Sequence, residues 1–336
     1  MSNDSMITEN TVSPLVDVMD TIESISTKHS ILFRGNSLDA FIATYLMNSH
    51  FMGETKLYPI SAHQTSTWPS KQDIAGSHVI MIDVNVPSNI HATWLKNGIL
   101  SVNWIERYNS SYTTINYTDD MCVAQRVFMF TNQGLAVPAW IQAIDRIARW
   151  SKITHEDRCI REMLDEMVHM PVKGHIKQAL ENAYQIIQLL ERGPTENPVL
   201  YAEFIQCGGH QLQIKDSALM KILSAGQIHV FTAEHVDKWG LSSNWLGANV
   251  FLLQNTNYVI DTNEAAHLTF IAYPGLHVFI NYRKKIINGK MTYVYSARSQ
   301  NFDLTADSGI FKGHPTAAGA SIVEDDAMFA APFTAL

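Results

Sequence analysis

The chain has 336 residues, and at roughly 100–200 residues per domain this length predicts two domains. Hydrophobic residues make up 46% of the chain, which supports a packed core and excludes global disorder. The net charge of −8 excludes a generally basic, histone-like nucleic-acid binder, although it is compatible with a local basic patch.

Nothing in the sequence indicates export or membrane insertion. Residues 1–12 are polar and lack the apolar core of a signal peptide, and no apolar run approaches the ~18–20 residues that span a bilayer. The cysteines show no metal-binding spacing, and an odd number cannot make a closed disulfide framework. We therefore expect a cytoplasmic protein that binds no membrane. The cysteines are Cys122, Cys159 and Cys207.

Strand-like and helix-like stretches alternate in the first third of the chain. Buried strands separated by helices predict a parallel sheet, and ligands bind at the carboxyl edge of such sheets. Asp83 and Glu106 end two of the strands, and Asp39 opens a helix predicted at 39–48, so these carboxylates are candidate ligand-binding residues. The predicted strands are 30–33, 78–82 and 100–105.

The pattern changes after a long amphipathic stretch. Gly193-Pro194 is a helix stop signal and predicts a linker. Strand-like runs dominate beyond it, and Asn288-Gly289 between two of them predicts a β-hairpin. Gly208-Gly209-His210 predicts a loop turn. The predicted helices are 138–150, 157–170 and 175–192, and the later strands are 228–231, 250–253, 268–272, 277–282 and 291–296.

Together these patterns predict an α/β protein with an N-terminal parallel-sheet domain and a smaller C-terminal α+β domain. They leave the oligomeric state open. The predicted segments are an N-terminal extension at 1–25, the first domain at 26–192, a linker at 193–200, the second domain at 201–323 and a C-terminal tail at 324–336.

The most specific segment is 309–320, in which Gly313-His314 is followed by Ala317-Ala318-Gly319. A glycine beside a histidine lets the backbone approach an anion while the imidazole and the amides donate hydrogen bonds to it. The Ala-Ala-Gly sequence predicts a helix whose N-terminus faces the same anion. Eleven residues before this segment, Arg298 offers a guanidinium that holds a phosphate or a carboxylate in bidentate fashion.

This C-terminal half resembles the DHH-associated domain of the DHH phosphoesterase superfamily, in which a Ser-x-Arg-Ser strand precedes a Gly-Gly-Gly-His-x-x-Ala-Ala-Gly loop. Phe311 and Lys312 replace the first two glycines of the loop. The resemblance implies that Arg298, Ser299 and the Gly-His pair bind phosphate or nucleic acid. The matching residues are Ser296, Arg298 and Ser299 in the strand and Gly313, His314, Ala317, Ala318 and Gly319 in the loop.

The N-terminal half resembles the four metal-binding motifs of the same superfamily more weakly. The first is a His-Gly-Asn-x-x-Asp-Gly loop, the second an aspartate that ends a strand, the third the namesake Asp-His-His and the fourth an acid within a helix. In the family these motifs hold two divalent metals, usually manganese, which activate water for phosphodiester or pyrophosphate cleavage. The corresponding positions here are Asp39, Asp83, Glu106-Arg107-Tyr108 and Asp145.

This chain departs from the family's metal-binding motifs by having arginines at two of their positions. Arg34 stands where the family has the histidine of the first motif, and Arg107 stands within the namesake motif. A guanidinium does not deprotonate and repels a divalent metal ion. The resemblance therefore implies a dismantled two-metal site with no confident catalytic residue. We expect no cofactor or, alternatively, one Mn²⁺ or Mg²⁺ on the remaining carboxylates.

Each of these carboxylates also has a structural interpretation. Asp39 is a favoured type of N-cap for its own helix, and Asp83 can cap a turn. Glu106 and Arg107 can form a solvated charge pair. Asp145 can join Arg146 in a salt bridge.

A basic stretch, residues 281–312, carries six cations against two carboxylates and interleaves them with tyrosines. Basic residues and aromatics on neighbouring strands can hold a phosphate backbone and stack bases. The structural alternative is a hairpin whose lysines protect an edge strand. The cations are Arg283, Lys284, Lys285, Lys290, Arg298 and Lys312, and the tyrosines are Tyr282, Tyr293 and Tyr295.

Three functions follow as hypotheses. The first is a catalytically degenerate DHH-like protein that binds RNA, a ribonucleoprotein or a nucleotide through Arg298, His314 and the basic hairpin. The second is an active Mn- or Mg-dependent phosphoesterase or nuclease with a reduced carboxylate site. The third is an assembly protein that uses the fold as a scaffold. The lost histidines favour the first over the second, and the retained loop residues favour it over the third.

Overall fold

The computed structural model describes residues 28–51, 54–61, 68–84, 86, 88–96, 98–105, 121–171, 173–254, 260–306 and 310–323. The chain divides into two compact units between Gln211 and Leu212. No helix in these ranges is both long enough and apolar enough to cross a membrane.

The first unit contains a four-stranded parallel sheet in the order β2-β1-β3-β4. Its strands are β1 (Lys28–Arg34), β2 (Thr55–Ile60), β3 (Ser77–Ile82) and β4 (Ser101–Ile105). Its helices are α1 (Leu38–His50), α2 (Lys71–Ile74), α3 (Ser88–Lys96), α4 (Val123–Thr131), α5 (Ala139–Arg149), α6 (His155–His169) and α7 (Ile176–Glu196).

The two central strands explain why this sheet is buried on both faces. Alternate residues such as Ile31 and Ile80 pack against α1 and α4, whereas Leu32 and Met81 pack into a second cluster on the other face. Continuous apolar runs of this kind are typical of parallel sheets. The predicted α/β class and the predicted parallel sheet are confirmed.

The second unit contains a six-stranded mixed sheet in the order β5-β6-β7-β8-β10-β9. Only β6 and β7 pair in parallel, and β7 and β8 form the predicted hairpin around Asn288-Gly289. Its strands are β5 (Gln227–Val230), β6 (Asn249–Gln254), β7 (Val278–Ile287), β8 (Lys290–Ser299), β9 (Lys312–His314) and β10 (Ala317–Val323), and its helices are α8 (Pro198–Leu223, which begins in the first unit), α9 (Ala233–Trp239) and α10 (Thr262–Ala272).

The strand predicted at 268–272 was wrong, because this run belongs to α10. The side chain of Asp261 accepts hydrogen bonds from the backbone amides of Asn263 and Glu264 and so caps the helix. Leu268 and Phe270 pack in the core cluster that includes Phe279 of the sheet. A short apolar run does not by itself distinguish a strand from a buried helical turn.

The segment predicted as a linker, 193–200, is helical on both sides of Asn197. Helix α7 continues to Glu196 with Pro194 inside it, and α8 begins at Pro198. Proline is well suited to the first position of a helix, since its missing N–H has no helical partner there. The predicted helix end was therefore about one turn early.

Gly208-Gly209-His210, predicted as a loop turn, lies inside α8. A Cβ on Gly208 would lie 2.3 Å from the carbonyl oxygen of Cys159 in α6. The glycine thus permits close packing of two helices and does not form a turn.

Candidate functional site

The loop with the highest sequence specificity forms two strands, β9 and β10, joined by Pro315-Thr316. The helix predicted to begin at Ala317 is absent from this segment, because residues 317–323 pair antiparallel with β8. Residues 317–323 therefore offer no helix N-terminus to an anion. The groups that this segment presents to a ligand are therefore side chains and the strand backbone.

Gly313 is required by the close approach of β9 to β10. Its φ is +140°, and a Cβ at this position would lie 2.8 Å from the carbonyl oxygen of Ala317. Any side chain would separate the two strands and displace His314. The glycine of the Gly-His pair therefore acts by allowing tight strand pairing.

The strand register places Arg298, His314 and Lys312 on one face of the second sheet. Arg298 lies opposite Ala317, and Ala317 lies opposite His314. Lys312 lies opposite Gly319 in the next row on that face. Direct cross-strand partners share a face, so the guanidinium, the imidazole and the ammonium group lie above a floor of small residues.

Two cations of the hairpin join the same face. Arg283 pairs with Val294 and Lys285 with Thr292, in register with the row of Arg298 and on the same side of the sheet. In the part of the chain that the structure describes, no carboxylate lies within ion-pair distance of any of them. We call this surface the cationic face; it consists of Arg283, Lys285, Arg298, Lys312 and His314.

Two predicted site residues lie on the opposite face of the sheet. The Lys284 ammonium nitrogen lies 4.8 Å from the centroid of the Tyr293 ring. Ser299 pairs with Val278, a core residue, and its hydroxyl donates to the carbonyl oxygen of Phe302. Neither side chain belongs to the cationic face, because alternate residues of a strand point to opposite sides.

Phe311 and Lys312, which replace the family's first two glycines, lie on opposite sides of the sheet. Phe311 is 2% exposed and stacks on Trp245, with ring centroids 5.6 Å apart. Lys312 is exposed on the cationic face. The phenylalanine therefore stabilises the core without obstructing the face, and the lysine adds a charge to it.

The interleaved tyrosines do not provide the predicted base-stacking surface. Tyr293 and Tyr295 are only 3% and 1% exposed, and Tyr282 stacks on Tyr295 at 5.6 Å. Burial raises the pKa of the Tyr282 and Tyr295 phenols. These rings lie in the core because their strand positions face inward.

Arg298 is held in place by the first turn of α10. Its Nε donates to Oδ1 of Asn263 at 2.5 Å, and its Nη1 donates to the carbonyl oxygen of Ala297 at 2.7 Å. Burial lowers the pKa of Arg298, and the Asp261 carboxylate partly opposes this effect. A guanidinium stays charged nevertheless. Nη2 makes no hydrogen bond to the described residues, so one edge of the fork is available to a ligand.

Asn281 is a residue of the same face that sequence reasoning missed. It pairs with Ser296, and its Oδ1 is buried without a hydrogen-bond partner among the described residues. A buried polar atom of this kind costs free energy unless something binds it. The alternation of Phe279, Asn281, Arg283 and Lys285 along β7 was the available signal.

Asp39, a candidate metal ligand, is bound to backbone amides. The carboxylate is 2% exposed and accepts hydrogen bonds from the amides of Val123 and Ala124 at 3.0 and 2.7 Å. The alternative that Asp39 caps its own helix was wrong, since Ser37 caps α1. Asp39 instead satisfies the first amides of α4, a helix that begins 84 residues later.

Asp145 lies at the same helix start. Its Oδ1 accepts a hydrogen bond from the amide of Cys122 at 2.7 Å, and the carboxylate forms an ion pair with Arg149 of the same helix. Its predicted partner, Arg146, binds Asp157 with two hydrogen bonds of 2.7 Å. Asp39 and Asp145 therefore lie together at the N-terminus of α4, where both accept hydrogen bonds from backbone amides.

Asp83 lies at the carboxyl edge of the first sheet, as predicted. It follows β3 with φ +52°, and its carboxylate lies 3.5 Å from the guanidinium of Arg34. Glu106, Arg107 and Tyr108 lie outside the described residues. Within the described ranges there is no group of three or more potential metal-binding side chains.

No family model matches this chain, and no curated protein matches it in sequence.

Solved structures are similar over most of its length. The pGpG-specific phosphodiesterase PggH from Vibrio cholerae is 12% identical, with a TM-score of 0.48 over 89% of this chain and 95% of that one. An exopolyphosphatase-related protein from Bacteroides fragilis is 10% identical, with a TM-score of 0.47 over 91% and 90%. RecJ from Thermus thermophilus, in complex with Mn²⁺, is 12% identical, with a TM-score of 0.43 over 95% and 52%. At these identities and TM-scores the similarity concerns the fold alone and assigns no activity.

Proposed function

We propose that this protein binds a phosphate-bearing ligand, namely RNA, a ribonucleoprotein or a nucleotide, on the cationic face, without two-metal hydrolysis. The observation that carries the proposal is the set of cations on one side of the second sheet, none of which has a described carboxylate within ion-pair distance. Surface cations of a protein with net charge −8 are ordinarily interspersed with acids. Their segregation here favours an anionic partner.

The centre of the proposed site is the row that contains Arg298 and His314. A half-buried guanidinium binds phosphate more strongly than an exposed one, since less water competes for it. Thr316 lies beside Nδ1 of His314, with its hydroxyl oxygen at 3.2 Å, which orients the imidazole. The floor of Ala317 and Gly319 leaves room for the ligand above the sheet.

The state of the carboxylates supports binding over hydrolysis. The oxygens of Asp39 and Asp145 are engaged by backbone amides, and Asp145 is also neutralised by Arg149. Arg34 already supplies a positive charge beside Asp83. A metal ion at this position would have to displace these partners, so the described donors do not fit a two-metal site.

The matched pair Lys284 and Lys285 tests the proposal. Lys285→Glu is expected to weaken binding of a single-stranded RNA about tenfold and to reduce the salt slope by about 0.7 per lost phosphate contact. Lys284→Glu, the same charge change on the opposite face, is expected to have little effect. Fluorescence anisotropy at two salt concentrations measures both.

A mononucleotide provides the second arm of this experiment. Lys285 lies six residues along β7 from the row of Arg298, or about 20 Å at ~3.3 Å per residue. A nucleotide held at Arg298 is therefore expected to be insensitive to either change. Equal loss of RNA binding in both variants would contradict the cationic face, and no salt-sensitive binding to any ligand would favour the scaffold hypothesis.

The phosphoesterase remains the second candidate, because Asp83 does lie at the edge where ligands bind in parallel sheets. Calorimetric titration with Mn²⁺ is expected to give weak binding or none, and Asp83→Ala is expected to leave the result unchanged. Tight binding of two metal ions, with oligonucleotide hydrolysis that Asp83→Ala abolishes, would establish the enzyme and overturn the proposal.

A further inference from the structure

Among the described residues, the β7–β8 hairpin extends beyond the strands that pair with it, as a two-stranded ribbon. Strand β6 pairs with β7 only as far as Tyr282, and β10 pairs with β8 only from Thr292. The last pairs of the hairpin, Ile286 with Met291 and Ile287 with Lys290, therefore have no third described strand beside them. The ribbon ends at the Asn288-Gly289 turn.

Three exposed apolar side chains lie at the tip of this ribbon, beside Lys290. Ile286 is 72% exposed, Ile287 39% and Met291 37%. Burying an aliphatic side chain is favourable in proportion to the area removed from water, so an exposed cluster of this kind indicates a contact surface. Protection of an edge strand needs only lysines and does not account for three apolar side chains at a tip.

Both faces of the ribbon carry the same order of residues. On the cationic face, Ile287 follows Lys285 and Arg283 along β7. On the opposite face, Ile286 and Met291 follow Lys284. No carboxylate occurs anywhere between residues 278 and 299. Each side of the ribbon thus presents an aliphatic end, with Arg283 and Lys285 behind it on the cationic face and Lys284 behind it on the opposite face.

We propose that this tip is a wedge that enters a base-paired nucleic acid where its two strands separate, with one strand along each face of the ribbon. The inference rests on the proposed function and names its partner as a nucleic acid with a duplex-to-single-strand junction. Aliphatic side chains that enter a base step unstack it, while neighbouring Lys and Arg bind the phosphates. The cations of the cationic face continue for about 20 Å from Lys285 to the row of Arg298, at ~3.3 Å per residue. A nucleic-acid strand can follow this whole track, whereas a flat lipid surface would meet only the tip.

Forked duplexes with 2-aminopurine at the junction provide the test. Wild-type protein is expected to raise the 2-aminopurine fluorescence and to bind a fork more tightly than a single strand of the same sequence. Ile286→Ser combined with Met291→Ser is expected to abolish the fluorescence rise and to reduce the affinity for the fork about tenfold. A tenfold loss of affinity is smaller than the free energy of unstacking one base step. Binding to the single strand is expected to change less than twofold.

Val199→Ser is the matched control, since Val199 is also 72% exposed but lies in α8. It is expected to behave as the wild type, and circular dichroism of each variant checks the fold. Fork binding without a fluorescence rise, or a rise that survives the tip variant, would overturn the wedge while leaving the proposed function intact. Absence of all nucleic-acid binding would overturn the wedge, and absence of nucleotide binding as well would overturn the proposed function. Binding to phosphatidylserine vesicles that the tip variant loses, with no unstacking, would assign the tip to a lipid surface instead.

Discussion

Replacing Arg298 by alanine is expected to lower the affinity for a nucleotide or a short RNA about ten- to hundredfold. The guanidinium is positioned by Asn263 and by the backbone of Ala297, and its Nη2 makes no hydrogen bond to the described residues. Loss of a charge-assisted hydrogen bond of this kind costs about 1.5–3 kcal/mol, and every 1.4 kcal/mol is a factor of ten in affinity. Isothermal titration with a nucleotide, and anisotropy with RNA, measure the loss.

Two further variants separate binding from positioning. Arg298→Lys keeps the charge but loses the planar fork, so we expect an intermediate affinity. Asn263→Ala removes the contact that orients Nε and leaves the charge, so it is expected to weaken binding less than Arg298→Ala does. Unchanged affinity in Arg298→Ala, with the thermal midpoint also unchanged, would exclude this row as the ligand site.

The cationic face could be predicted in part from the sequence. The Asn288-Gly289 turn fixes the register of β7 against β8, and the register then places Arg283 and Lys285 on one side and Lys284 on the other. The pairing of β10 could not be predicted, because Ala-Ala-Gly is compatible with a helix start as well as with a strand. Its strand conformation is decided by contact with β8, which is a tertiary interaction.

Strand β2 illustrates a different limit. Thr55–Ile60 contains Pro59 and is mostly half-buried, so it has neither the continuous apolar run of a central strand nor a clear alternation. It occupies one edge of the first sheet, where a proline is tolerated. The sequence therefore predicted the three apolar strands of this sheet and missed the fourth.

Asp39 shows why a sequence motif identifies a carboxylate more readily than it identifies what that carboxylate binds. An aspartate that opens a helix after a buried strand is compatible with a ligand and with a cap. The sequence could not reveal that the partners of Asp39 are the amides of Val123 and Ala124, 84 and 85 positions away. These amides are the first of α4 and lack a helical acceptor, so the fold supplies one from α1.

Asp39→Ala is expected to lower the free energy of unfolding by about 2–4 kcal/mol. The substitution leaves two buried amides without an acceptor and removes a negative charge from the positive end of the α4 dipole. Urea unfolding of the metal-free protein, followed by circular dichroism, measures the change. The midpoint is expected to fall without a change in slope, since the surface exposed on unfolding is the same.

Asp39→Asn and Asp83→Ala complete this experiment. Asn retains one side-chain acceptor and loses the charge, so we expect it to recover part of the stability. The ion pair of Asp83 is with an exposed guanidinium, so loss of that ion pair is expected to cost less than about 1 kcal/mol. If Asp39 instead served a metal site, its removal from the metal-free protein would relieve repulsion between carboxylates and leave the stability equal or higher. A neutral or stabilising Asp39→Ala would therefore contradict the structural role and return Asp39 to the set of candidate metal ligands.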